Sequence, residues 1–143
     1  MGEKIAGKAL SDIRQRVHPE CIVCSSENES GLRLDFYGMK NGSVEATFRC
    51  ADIFQGYPGM VHGGVVTSIL DGAMCNCLFA CGRTALTAEI KTRFRHPLKP
   101  GKEAKVTAEI AKVTCPLFKL KSKIIQDGKI IANAEATYYD EKP

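Results

Sequence analysis

This chain of 143 residues predicts an α+β fold, in which one long enclosed helix is wrapped by an antiparallel sheet of five to six strands. Three observations carry that expectation. From about His62 to Cys81 apolar groups appear on nearly every side of a helical wheel, so this helix should be enclosed. Residues 32–37, 44–49 and four later segments alternate apolar and polar with a period of two, as half-buried strands do. No internal repeat, low-complexity run or linker divides the chain, so a single domain over 1–143 is expected.

The elements follow in order. Ile5, Ala9, Ile13 and Val17 recur every four residues and give one amphipathic helix within 1–18. Pro19 ends it, because the residue before proline is pushed out of the helical region. Residues 19–31, with the Cys21-Ile22-Val23-Cys24 pair, read as a loop. Leu32, Leu34 and Phe36 alternate with Arg33, Asp35 and Tyr37, and Val44, Ala46 and Phe48 with Glu45, Thr47 and Arg49. Asn41-Gly42 between them is a hairpin signal, since both residues tolerate positive φ. Gly56, Pro58 and Gly59 mark a loop before the long helix, and Gly82 is suited to stop that helix. Residues 87–96, 106–113, 117–125 and 130–139 read as strands, with Asp127-Gly128 as a second hairpin signal. On the first of these, Thr87, Glu89, Lys91, Arg93 and Arg95 make one polar face.

Composition narrows the function. Apolar content of 44% and charged content of 25% fit a globular domain. A net charge of +4, no Trp and few aromatics give little for nucleic-acid binding, although they suit a small anionic ligand. Val61–Cys81 approaches membrane-spanning length, yet Asp71 would lie near its middle, so a span is not expected. Lys4, Lys8, Asp12 and Arg14 interrupt any signal-like apolar core, and seven cysteines without such a signal point to reduced thiols in the cytoplasm.

The chemistry concentrates in one segment. Between Asp52 and Arg83 the single formal charge is Asp71, nine residues after His62. A carboxylate in such surroundings is costly without a partner or a purpose. It is either a nucleophile or general base, or a buried acid satisfied by Ser68, Thr67 or backbone donors. Gly63 and Gly64 leave the first amides of the helix bare, where a carbonyl oxygen can be polarised. His62 either transfers protons or orients the glycine turn. Gln55 is either an amide donor to a bound carbonyl or a solvated loop residue. Gly63 and Asp71 are eight residues apart, about 12 Å along a helix axis. One acyl carbon cannot meet both, unless a second copy of the chain brings its own Asp71 to these glycines across a two-fold axis.

The segment FQGYPGMVHGGVVTSILDGAM resembles the active-site segment of hotdog-fold thioesterases of the phenylacetate-degradation (PaaI-like) branch. The CxxC followed by GLRLDFY and the strand end RFRHPLKPG are similar to further parts of that pattern, over roughly residues 20–140. The resemblance implies hydrolysis of an acyl-coenzyme A thioester at a dimer interface, in a homodimer or a dimer of dimers, with no cofactor. It implies Asp71 as base or nucleophile, the Gly63 and Gly64 amides as carbonyl donors, and Thr87 at a position that orients water. Relatives carry Asn six residues before the His; Gly56 stands there in this chain, beside Gln55.

Under an acyl-CoA substrate, Lys91, Arg93 and Arg95 become candidates for its phosphates; without it they are a solvated basic face, as are Lys119, Lys121 and Lys123. Met60, Met74, Leu78 and Phe79 are candidates to line an acyl pocket. Cys21 and Cys24 with His18 or the distant Cys50 fall short of a convincing four-ligand zinc site, so two packed thiols and no metal are expected. The competing function is a non-catalytic acyl-CoA-binding sensor of the same fold. A hotdog hydratase would need a different His and acid spacing.

Overall fold

A computed structural model describes residues 8–140. It contains helix α1 (Lys8–Val17), strands β1 (Tyr37–Gly38) and β2 (Val44–Phe48), helix α2 (Gly63–Ala80), and strands β3 (Leu86–Phe94), β4 (Ala104–Thr114), β5 (Leu117–Gln126) and β6 (Lys129–Tyr139). The strands form one antiparallel sheet in the order β1-β2-β4-β5-β6-β3, which wraps α2 in the hotdog arrangement. Ile5, the first residue of the expected N-terminal helix pattern, lies outside the described residues.

Alternation decides what the sheet offers the helix. Val44, Ala46 and Phe48 on β2, Val106 and Ala108 on β4, and Phe118, Leu120 and Ile124 on β5 are all buried. On β6 the inward positions are Ala132, Ala134, Ala136 and Tyr138. The three small residues let α2 approach closely, and Ile69, Leu70, Met74 and Leu78 fill the space fully buried. Each such side chain contributes about 1.5–3 kcal/mol by leaving water. α2 has the length and hydropathy of a membrane span, but 61% of that stretch is buried inside the fold. A core helix meets the same criteria.

Both ends of α2 are capped by backbone rules. His62 is the N-cap residue, and its Nδ1 accepts from the Gly64 N–H at 2.9 Å. At the other end Gly82 has φ +72°, the Gly82 N–H donates to the Phe79 carbonyl, and the Arg83 N–H to the Leu78 carbonyl. That is the paired closure of a glycine-terminated helix. The Asp127-Gly128 turn is a two-residue hairpin with φ of 52° and 74°.

Three expectations need correction. Residues 32–36 lie outside the sheet: the Leu32 and Leu34 N–H groups donate to the Ile22 and Val23 carbonyls of the CxxC loop, and Arg33 takes left-handed backbone at φ 55°. Their alternation records burial against that loop. The first hairpin has a three-residue loop in which only Gly42 takes positive φ; Asn41 Oδ1 instead accepts from the Ser43 N–H and Oγ. The third correction concerns β3. A bulge between Thr87 and Glu89 shifts its register against β6. Thr87 is therefore opposite Tyr138 on the inner face, whereas Glu89, Lys91 and Arg93 are opposite Thr137, Glu135 and Asn133 on the outer one.

The CxxC loop docks on the back of α2. A Cβ added to Gly72 would stand 2.4 Å from Val23 Cγ1, and Val23 is buried. Gly72→Ala should therefore lower stability by about 1–3 kcal/mol by overpacking, despite the better helix propensity of alanine. Urea denaturation measures it; a stability equal to or above wild type would contradict this packing.

Candidate functional site

Asp71 sits where α2 faces the start of β3 and the end of β6. Thr87 Oγ1 donates to Asp71 Oδ1 at 2.9 Å, and the Tyr138 hydroxyl donates to the same oxygen at 2.5 Å. The Tyr138 hydroxyl also lies 3.1 Å from the Asp71 carbonyl. Two hydroxyls thus fix one carboxylate oxygen, and no described residue bonds Oδ2. The sequence alternative of Ser68 or Thr67 as partners does not hold. Ser68 Oγ donates to the Gly64 carbonyl, and Thr67 Oγ1 donates to Thr92 Oγ1.

Tyr138 is the residue of this candidate site that the sequence pattern did not single out. It is wholly buried, and burial together with the charges of Cys75 and Asp71 pushes its phenol far above its ordinary value. It is a permanent donor. The available signal was a polar-tipped aromatic at an inward position of a strand whose other inward residues are alanines. Tyr138→Phe removes a hydrogen bond to a charged group, worth about 1.5–3 kcal/mol. Loss of Asp71 orientation should lower kcat roughly tenfold with KM unchanged; steady-state kinetics against Tyr138→Leu, which also loses the ring, checks it.

Cys75 lies one turn after Asp71, and burial, then the Asp71 charge, pushes its thiol up to about 12. It stays protonated near neutrality and is not a nucleophile there. Burial lifts Cys50 to about 11 and Cys77 to about 12. These thiols ionise more readily in the unfolded chain, so their folded-state stabilisation is complete below about pH 9 and is lost as pH rises toward 11–12. The slope is about 1.4 kcal/mol per pH unit for each thiol in that window. Denaturation between pH 8 and 11 should show stability falling above pH 9; a flat profile would contradict it.

The helix N-terminus forms the second half of the site. His62, Gly63 and Gly64 are exposed, and Gly63 faces Phe94 of β3, with an added Cβ 3.5 Å from Phe94 Cε1. No described residue accepts from the Gly63 N–H. The Gly64 N–H, by contrast, is occupied by His62 Nδ1, so the expected pair of bare amides reduces to one. His62 acts as cap in the free chain, and its own N–H donates to the Phe54 carbonyl at 2.9 Å. Gln55 is also committed. Its Oε1 accepts from the Gly59 N–H at 2.6 Å and its Nε2 donates to the Asp52 carbonyl at 2.9 Å, bracing the loop that precedes α2. The role of Gln55 is thus to shape the glycine turn, and it is not presented as a carbonyl donor.

A cavity of about 580 Å³ opens beside Gly63, with Tyr57, Met60, Val66, Phe94 and Leu98 among its walls. Met60 lines it as expected. Met74, Leu78 and Phe79 do not; all three are core residues at 0–3% exposure. Among the three basic candidates, Arg95 lines this cavity and its Nε donates to Asn133 Oδ1 at 2.8 Å. Lys91 and Arg93 lie on the opposite face of the sheet from Asp71 and Gly63, a consequence of the β3 bulge.

α2 and β3 run alongside one another with Gly63 near Phe94 and Asp71 near Thr87. The amide and the acid therefore stand at opposite ends of one helix–strand contact, separated by about 12 Å of helix. Beside the Cys21 and Cys24 thiols stands His18, and the donor atoms of all three lie within 4.8 Å of one another.

The family description "Thioesterase superfamily" matches residues 58–129, the stretch holding the glycine turn, α2 and β3 through β5. The chain is 30% identical over 73 residues to bovine (Bos taurus) acyl-coenzyme A thioesterase THEM4, a match covering 49% of this chain and 30% of that protein. It is similar to the crystal structure of a thioesterase superfamily protein with a TM-score of 0.79 and 27% identity, covering 82% of this chain and 59% of the other. It also shares its fold with the Escherichia coli PaaI protein from the phenylacetic acid degradation operon: TM-score 0.70, 20% identity, 76% of this chain and 80% of that one. The chain thus spans about a third of the curated relative it matches.

Proposed function

Given that the chain belongs to the thioesterase superfamily and has the hotdog fold, we propose that it is of the PaaI-like branch and hydrolyses an acyl-coenzyme A thioester to the free acid and CoA. The observation that carries this is the Asp71 carboxylate. Thr87 and Tyr138 fix its Oδ1, while its Oδ2 has no partner among the described residues. A binding module gains nothing from orienting one oxygen of an acid and leaving the other bare.

In the proposed reaction, Asp71 Oδ2 takes a proton from water as the water oxygen bonds to the thioester carbonyl carbon. The carbonyl oxygen gains negative charge and is held by the Gly63 N–H of a second protomer, at the positive end of α2. Collapse of the adduct breaks the carbon–sulfur bond, and the CoA sulfur leaves with the proton. The same carboxylate could instead attack directly as nucleophile; oxygen exchange from labelled water into Asp71 during turnover distinguishes the two.

The pairing of protomers is supported by β3, which ends the sheet with one side unpaired and with Leu86 and Phe94 exposed at 59% and 56%. A nine-residue exposed edge with such residues is suited to pairing with another strand. A two-fold axis there would lay the Asp71 end of one β3 against the Gly63 end of the other. Light scattering reads the assembly: a mass of two or four chains supports the reading, and a single-chain mass contradicts it. Arg95 at the cavity wall is proposed to meet a CoA phosphate; Lys91 and Arg93, on the outer face, are left as a solvated basic face. Seven unpaired cysteines suit a reducing, cytoplasmic setting.

The test is CoA release, followed with a thiol reagent, across acyl-CoAs of graded chain length and aromatic character. Release supports the enzyme. Binding of acyl-CoA without release across the panel favours the sensor.

A further inference from the structure

The loop between α1 and residues 32–36 holds a cluster that hydrolysis does not use. His18, Cys21 and Cys24 follow one another at intervals of three. Two successive turns fold that spacing back on itself: the Cys21 N–H donates to the His18 carbonyl and the Ser25 N–H to the Cys21 carbonyl. Cys24 Sγ consequently lies 3.7 Å from His18 Nδ1, and the donor atoms of all three residues lie within 4.8 Å of one another.

A tetrahedral zinc ion with bonds of about 2.3 Å to sulfur and about 2.0 Å to nitrogen separates its sulfur and nitrogen ligands by about 3.5 Å and its sulfurs by about 3.8 Å. The cluster is within side-chain adjustment of those edges. The setting favours a metal in two further ways. The Val23 N–H donates to Cys21 Sγ at 3.3 Å, a bond that supports a thiolate ligand. The His18 ring is held edge-on against Phe79 of α2, with centroids 4.8 Å apart and planes at 81°, which fixes the imidazole beside the thiols. A disulfide between Cys21 and Cys24 would need neither the imidazole nor its positioning.

We propose that His18, Cys21 and Cys24 bind one zinc-class divalent ion, with the fourth position open to water. The ion ties the end of α1 and the CxxC loop into one unit. That unit presses Val23 onto Gly72 and places Cys24 in the core. The site is therefore a structural staple on the rear of the reactive helix. It does not rest on the proposed hydrolysis.

The test uses the reduced full chain, stripped with a chelator and titrated with Co2+. The expected result is a thiolate-to-cobalt charge-transfer absorption that saturates at one ion per chain and is displaced by Zn2+. One zinc per chain should survive dialysis, and zinc should raise Tm. His18→Ala and Cys21→Ser should weaken binding roughly 100-fold or more, while Cys115→Ser, at an exposed turn, leaves it unchanged. Absence of that absorption in the wild-type chain would overturn the proposal, as would unchanged affinity in Cys21→Ser. A reduced chain that binds no metal but loses two thiols on mild oxidation would overturn it in favour of a disulfide.

Discussion

Replacing Asp71 by Asn is expected to lower kcat for acyl-CoA hydrolysis by roughly 10²–10⁴-fold with little change in KM. Asparagine keeps the size of the side chain, and its oxygen still accepts from Thr87 and Tyr138, so the local hydrogen bonds survive. What is lost is the oxygen that takes the proton from water. Stability should stay within about 1 kcal/mol of wild type, because the packing around the side chain does not change. Rate loss without stability loss separates a reacting group from a structural one. Asp71→Ala is a poorer probe, since it strips the partner from the buried Tyr138 hydroxyl and mixes both effects.

Gly63→Val should be the second most damaging substitution. The glycine faces Phe94, and an added Cβ would stand 3.5 and 3.6 Å from two ring carbons, an ordinary contact. Alanine at this position is accommodated, and even favoured by helix propensity of up to about 1 kcal/mol. Valine adds two methyl groups between the ring and the single unoccupied amide of the helix start. A carbonyl oxygen would no longer reach that N–H, and kcat/KM should fall roughly 10²–10³-fold, the size seen when one donor to a developing oxyanion is lost. Thermal denaturation beside the kinetics checks the cause: a rate lost together with a collapse in Tm would instead mark Gly63 as structural.

The long helix was legible in the sequence because burial on all sides leaves a run with one charge, and no other element of this chain has that signature. Strands β4 to β6 were legible because half-burial writes a period of two. The same signal misled at 32–36, where the apolar side is buried by a loop and no strand pairs alongside. Alternation reports burial and not the hydrogen-bonding partner. The β3 bulge was invisible for a related reason. One extra residue turns Thr87 inward and leaves Lys91 and Arg93 outward, and nothing in Thr87-Ala88-Glu89 announces it. Asp71 stood out by its cost in an apolar run, whereas Tyr138 depends on register across the sheet. The fate of the Gly64 amide depended on the His62 rotamer, which spacing does not encode.

The most direct test of a site shared between two chains is to mix two disabled ones. Asp71→Asn and Gly63→Val protein are combined under conditions that let protomers exchange, and mass spectrometry confirms the mixed species. In a mixed dimer one site collects both defects and the other collects neither. Random exchange makes half the dimers mixed, so CoA release should return to about one quarter of the wild-type rate. Confirmed exchange with no activity above that of the two variants alone would contradict the account, because acid and amide would then act within one chain.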